Sequence, residues 1–207
     1  MDENQILSEF REYIRRESEK VDPDGRLYLN PHLLDTEKRL LELRQDPNCG
    51  LRIAALGHDI DRIFQERASK GDFPSYEAYK LEHSIRSAKK TAEFLRQHTQ
   101  DNPFLAYVYE LIIYHDIKGV YPEAATPQLK EDVDLVRDSD SISFFHINLE
   151  NYFKDYSPED FENKIKFMHS KISAERKDIV NRLLRDNQSK GEVFARALAF
   201  LKTLSQS

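Results

Sequence analysis

Ile6, Phe10 and Ile14 recur at four-residue intervals, and segment after segment of the chain repeats that spacing. Such a period places apolar side chains on one face of an α-helix and charged ones on the other. No two segments read as a strand pair, and the β-branched residues are scattered inside helical patterns. Only six glycines in 207 residues and a charged content of 33% agree with helices that have solvated outer faces. The expected fold class is all-α. Hydrophobic residues make up 39%, enough to bury a real core.

Punctuation divides the pattern into helices. The first is predicted from about residue 3 to 20. VDPDGRLYLN reads as a loop broken by Pro23 and Gly25. Asn30 before Pro31 suggests an N-cap with proline at the first helical position, opening a helix over about 31–45 with His32 in its first turn. After the turn DPNCG, the short apolar stretch LRIAALGHDIDRIF carries Ala54, Ala55 and Gly57, residues small enough for close packing at the centre. GDFPS breaks the chain before the long amphipathic segment YEAYKLEHSIRSAKKTAEFLRQH. DNP opens the next helix, which ends at His115 and Asp116. KGVYPEAATP is loop-like. A helical run then starts near Gln128 and passes through VDLVRDSDSISFF. Ser157 and Glu159 of SPED mark another helix start, and helical spacing continues to the C-terminus. One helical domain over 1–207 is expected, with a core of about 31–146 and terminal helices packed on it.

The net charge is −6, with both signs interspersed. A general nucleic-acid binder would carry a clustered basic surface, so that class is not expected. A small phosphorylated substrate remains compatible, because a local basic pocket can sit in an acidic protein. Cys49 is the only cysteine, which excludes an intrachain disulfide and a thiolate-rich zinc site and fits a reducing compartment. No apolar signal segment and no run of about 18 apolar residues is present. A cytoplasmic location without membrane insertion is the expectation. Exposed helix faces leave a homodimer open.

Four histidines punctuate the first two thirds of the chain: His32, His58, His83 and His115. Two are followed by aspartate, as His58-Asp59 and His115-Asp116, and Asp138 and Asp140 come about one helix later. Each lies on a different predicted helix or at its end, and a helical bundle can gather such residues at one interior point. Imidazole and carboxylate ligands together suit Mn²⁺, Fe²⁺, Co²⁺, Ni²⁺ or Zn²⁺, or Mg²⁺ with more oxygen ligands. A bound divalent metal can lower the pKa of a water and polarise a phosphoryl oxygen.

In order and context, these residues resemble the H…HD…D pattern of the HD superfamily. His32 lies in HLLDTEKRLLEL, His58-Asp59 in AALGHDIDRIF, and Asp140 in VRDSDSISFF. The resemblance covers about residues 31–146. The His-Asp pair ends an apolar, alanine-containing helix, as in the family. Arg62 stands four positions after His58, where many members carry a basic residue. Asp138-Ser139-Asp140 stands where the family has D-A-D. The resemblance implies an all-α HD-domain bundle, here with additional C-terminal helices. Its implied ligands are His32, His58, Asp59 and Asp140, and its implied activity is hydrolysis of a nucleotide or another small phosphate ester. His83 and His115 fall where some members hold a second metal or contact phosphate. YHDIKGVYPEA lacks the doubled histidine of the family's cyclic-dinucleotide branch, so that substrate is not inferred.

Further candidates surround this set. Arg62 lies one turn after His58 and Arg86 three residues after His83, so each pair shares a helical face. Guanidinium groups bind phosphate bidentately. Lys118 follows His115 by three. Asp61 is a candidate general base, or a partner for Arg62. The basic run KIKFMHSKISAERK reads as a solvated helix face, with a substrate mouth as the alternative, and His98, His146 and His169 are left outside the site. Two rivals accompany the phosphohydrolase reading. One is a non-catalytic metal- or nucleotide-binding regulatory module. The other is a di-iron HD-type oxygenase, which requires both His83 and His115 as ligands.

Overall fold

The structure is a computed structural model that describes residues 2–22 and 29–204. Among these, every regular element is helical: α1 (Glu3–Val21), α2 (Leu29–Leu43), α3 (Cys49–Gly57), α4 (Tyr76–Leu95), α5 (Asn102–Tyr114), α6 (Pro127–Ser143), α7 (Leu149–Asp155), α8 (Pro158–Lys171), α9 (Lys177–Asp186) and α10 (Glu192–Leu204). The all-α expectation holds. None of these helices is long and apolar enough to cross a membrane.

Local chemistry sets most helix starts. Asn48, Ser75, Asp101, Thr126 and Ser157 each accept a hydrogen bond from a backbone N–H of the turn they open. A cap of this kind contributes about 1 kcal/mol. The start of α2 differs from expectation. Leu29 and Asn30 are already helical, and the buried Asn30 Oδ1 has no hydrogen-bond partner, so Asn30 does not cap. The breakers Pro23 and Gly25 lie outside the described residues. The run after Asp140 also differs, because α6 passes into one π-helical turn, Phe144–Asn148, before α7. Wider turns of this type favour functional sites. This one carries Phe144 and Asn148 to the rim of the central pocket.

The nine-residue α3 is the centre of the first half. Leu51, Ile53, Ala54, Ala55 and Leu56 are fully buried among α1, α2, α5 and α6. Burial of each larger aliphatic side chain contributes about 1.5–3 kcal/mol. Gly57 is the last residue of this helix, and a Cβ there would lie 2.5 Å from Thr91 Oγ1, so α3 and α4 approach closely at this point. That close approach fixes where the chain delivers His58 and Asp59.

Two apolar clusters divide the interior. The first joins α1 to the early part of α6, and the second runs from Ile142 and Phe145 through α8, α9 and α10. Helix α6 belongs to both. Its second half, from Arg137 to Ser143, is buried along its whole length, although it holds an arginine, two aspartates and three serines.

Candidate metal centre

His32, in the first turn of α2, is buried against the C-terminal end of α6. Its Nδ1 lies 3.0 Å from Ser143 Oγ, and that hydroxyl donates to the His32 carbonyl at 3.2 Å. The hydroxyl proton is thereby committed, so Nδ1 must be the donor in this pair. The Nε2 lone pair then faces Asp140 Oδ1 at 3.4 Å. His58, fully buried at the end of α3, repeats the arrangement. Its Nδ1–H donates to Ala55 O at 2.9 Å, while Nε2 lies 3.5 Å from Asp140 Oδ1 and 4.0 Å from Asp59 Oδ2 and makes no hydrogen bond. His115 is also buried and donates Nδ1–H to Ile112 O at 2.6 Å. Metal-binding histidines are characteristically oriented in this way, by a backbone or hydroxyl partner on the other nitrogen.

Donor atoms of His32, His58 and Asp59 lie within 4.8 Å of one another, as do those of His58, His115 and Asp140. The four ligands expected from sequence are therefore gathered, and His115 joins them. A buried imidazole nitrogen with no partner is costly unless something binds it. A divalent cation answers that need and would neutralise two carboxylates, so the donor set fits a metal.

Charges within the centre reinforce one another. Burial opposes ionisation of Asp59 and Asp140, but Arg62 beside the first and Lys171 beside the second hold both carboxyls well below the usual carboxylate range. Burial likewise opposes protonation of His58, but Asp59 and Asp140 outweigh it and raise the ring's pKa. His115 goes the other way, pushed down to about 4 chiefly by burial, and is a neutral nitrogen donor near pH 7.

His83 lies beside the ligand groups and belongs to neither. Its Nε2 is 2.5 Å from Asp59 Oδ1 and its Nδ1 3.1 Å from Asp61 Oδ2. Burial lowers its proton affinity, but Asp59 overcomes this and raises it. With both nitrogens turned to carboxylates, His83 braces Asp59. The di-iron reading needs His83 as a ligand, and neither donor group among the described residues includes it.

Asp61 departs from both roles expected of it. Its Oδ2 accepts from Ala68 N at 3.1 Å and faces His83, so it neither pairs with Arg62 nor lines the pocket as a base. Arg62 stands at the pocket with Nε 2.7 Å from Asp59 Oδ2. Arg86 turns to Glu82 and to the Glu66 carbonyl on the outer surface. Lys118 donates to the Ser170 and Ile172 carbonyls at the end of α8. Sharing a helical face with a site histidine does not fix which flank of that face a long side chain takes. Asp138 is fully buried and accepts from Ser173 N and Arg176.

Several residues of the site were not anticipated. Lys171 is 3% exposed and bridges Asp116 Oδ1 at 2.8 Å and Asp140 Oδ2 at 2.7 Å. Lys80 Nζ also reaches Asp116 Oδ1, at 2.9 Å. Lys164 lies over the rings of Phe144, Tyr152 and Phe167, and burial followed by the nearby Arg62 pushes its pKa down to about 8. The basic run is thus partly interior. Its signal was register, since Lys164 and Lys171 flank the buried positions Phe161, Ile165 and Met168 at helical spacing.

The central pocket carries four cationic side chains, Arg62, Lys80, Lys164 and Lys171, against three carboxylates, Asp59, Asp116 and Asp140. It meets an outer cleft of about 560 Å³, and the two share Arg62, Lys164 and the rings of Tyr76, Tyr79, Tyr152 and Phe167. Searches among protein-family models, curated proteins and solved structures return no match to this chain.

Proposed function

We propose that this chain is a metal-dependent phosphohydrolase of the HD type, acting on a nucleotide or another small phosphate ester. The observation that carries the reading is the fully buried, unpartnered His58 Nε2, set between Asp140 and Asp59 with His32 aimed at the same Asp140 oxygen. The order of those residues along the chain is the order the HD resemblance implies. His32, His58, Asp59 and Asp140 would hold the ion, with His115 beside them.

A divalent ion at such a centre supplies Lewis acidity toward a phosphoryl oxygen and toward water. The remaining work belongs to side chains. The pocket's excess of cations within a protein of net charge −6 favours an anionic ligand. Arg62 uses Nε on Asp59, and among the described residues its terminal nitrogens make no hydrogen bond, so they are free for phosphoryl oxygens. Lys164 adds a second positive charge at the boundary with the cleft. His83, between Asp59 and Asp61, keeps a proton beside the ligand carboxylate. The tyrosine walls offer stacking surface to a planar ring, which favours a nucleotide among phosphate esters.

The test is a screen of nucleotides and phosphomonoesters with Mn²⁺, Co²⁺ or Ni²⁺. Metal-dependent phosphate release is expected, with loss in Asp59→Ala. Release that Asp59→Ala leaves unchanged would overturn the mechanism. Tight nucleotide binding without turnover would favour the regulatory-module reading.

A further inference from the structure

We infer that Lys171 takes the place of a second metal ion, so that the centre holds a single divalent cation with an ammonium group beside it. This deepens the metal-centre reading and rests on it.

The donor inventory by itself could serve two ions. Three histidines and three carboxylates converge, and two ligand groups share His58. The limit is set by the partners of the carboxylate oxygens. Asp140 is divided, with Oδ1 facing the His32 and His58 nitrogens and Oδ2 held by Lys171 Nζ at 2.7 Å. The same ammonium holds Asp116 Oδ1 at 2.8 Å, and Lys80 reaches that oxygen as well. A bridging carboxylate in a two-metal centre presents one oxygen to each ion. Here Asp140 Oδ2 and Asp116 Oδ1, which such an ion would share, already face ammonium groups. A second divalent ion would sit against a buried ammonium, where like charges repel strongly in a low-dielectric surrounding.

Lys171 is also held in place. It is the last residue of α8, and its carbonyl accepts from Nε of the buried Arg137 at 3.0 Å. The flanking carbonyls of Ser170 and Ile172 accept from Lys118 Nζ. Arg137 and Lys118 come from α6 and from the loop after α5, the segments next to Asp140 and Asp116. These contacts fix the backbone from which the ammonium reaches Asp116 and Asp140.

The test is titration of metal-free protein with Mn²⁺, followed by calorimetry and by elemental analysis after gel filtration. Wild-type protein is expected to take up one ion per chain. Lys171→Met and Lys171→Gln, checked for folding by circular dichroism, are expected to take up two, and Lys171→Arg is expected to stay at one. Two ions in wild type overturn the inference whatever the variants do, as does a folded Lys171→Met that stays at one. Should neither uncharged variant fold, the wild-type count decides alone. Zero ions in wild type would sink the metal centre itself, a result distinct from a count of two.

Discussion

The two halves of the interior contribute to the site in opposite ways. The half built on α2, α3 and α5 presents histidines and carboxylates. The half built on α8 presents cations, Lys164 and Lys171. Helix α6 lies between them, with Asp140 facing both. Arg62 and Lys80 come with the first half, but Lys164 and Lys171 come from the second, so the full set of charges assembles only when the two pack. Polar groups at the seam hold that packing: Asp138 with Ser173 N and Arg176, Asp35 with His146, and Lys118 with the end of α8. The lesson is that the ligand half can be written as a motif, while the cation half exists only through tertiary contact.

Substitutions along the seam can break or sharpen this division. The largest effect is expected at the shared carboxylate. Asp140→Asn should weaken Mn²⁺ binding by about 1000-fold or more, beyond the 10–100-fold typical of losing a ligand's supporting partner; equilibrium dialysis reads it. Asp138→Ala should cost about 3 kcal/mol in denaturant unfolding, because a buried ion pair loses one member.

Asp35 gives the next effect, and it depends on pH. Burial raises this carboxyl's pKa, but hydrogen bonds from His146 and Arg39 bring it down to about 2 from 3.8. A depressed carboxylate adds stability above its unfolded value and loses it as pH falls through the folded value. That contribution, about 2 kcal/mol by linkage, should be present above about pH 4 and gone near pH 2. Asp35→Asn should flatten this acid limb in urea unfolding measured from pH 5 to 2.

Smaller still, Lys118→Met should cost about 1 kcal/mol of stability by freeing two helix-end carbonyls, with metal affinity reduced less than in Asp140→Asn. Arg86→Met should leave both metal affinity and phosphate release unchanged, since that guanidinium lies on the outer surface. A large loss of metal in Arg86→Met would mean that the boundary between site and surface is drawn wrongly.

Much of the fold was legible because its signals are local. The caps at Ser75, Asp101 and Ser157, the breaks at GDFPS and KGVYPEAATP, and the small residues of α3 each act within a few residues of where they are read. Asn30 misled because it and Leu29 are themselves helical, so the proline at 31 does not mark the first helical position. The convergence of His32, His58, Asp59 and Asp140 was legible because their order along the chain resembles a known pattern. The pairing of His83 with Asp61 was not, because Asp61 belongs to a 3₁₀ turn whose direction depends on packing against Ser87. Lys171 was hidden for another reason: a lysine flanking an apolar stripe reads as a solvated edge until a neighbouring helix brings carboxylates to it.

The most direct test of the centre is anomalous diffraction from crystals soaked in Mn²⁺ or Co²⁺. One strong peak is expected at about 2.0–2.3 Å from nitrogens of His32 and His58 and oxygens of Asp59 and Asp140. At saturating metal, no peak there, or a peak only at surface carboxylates, would contradict it.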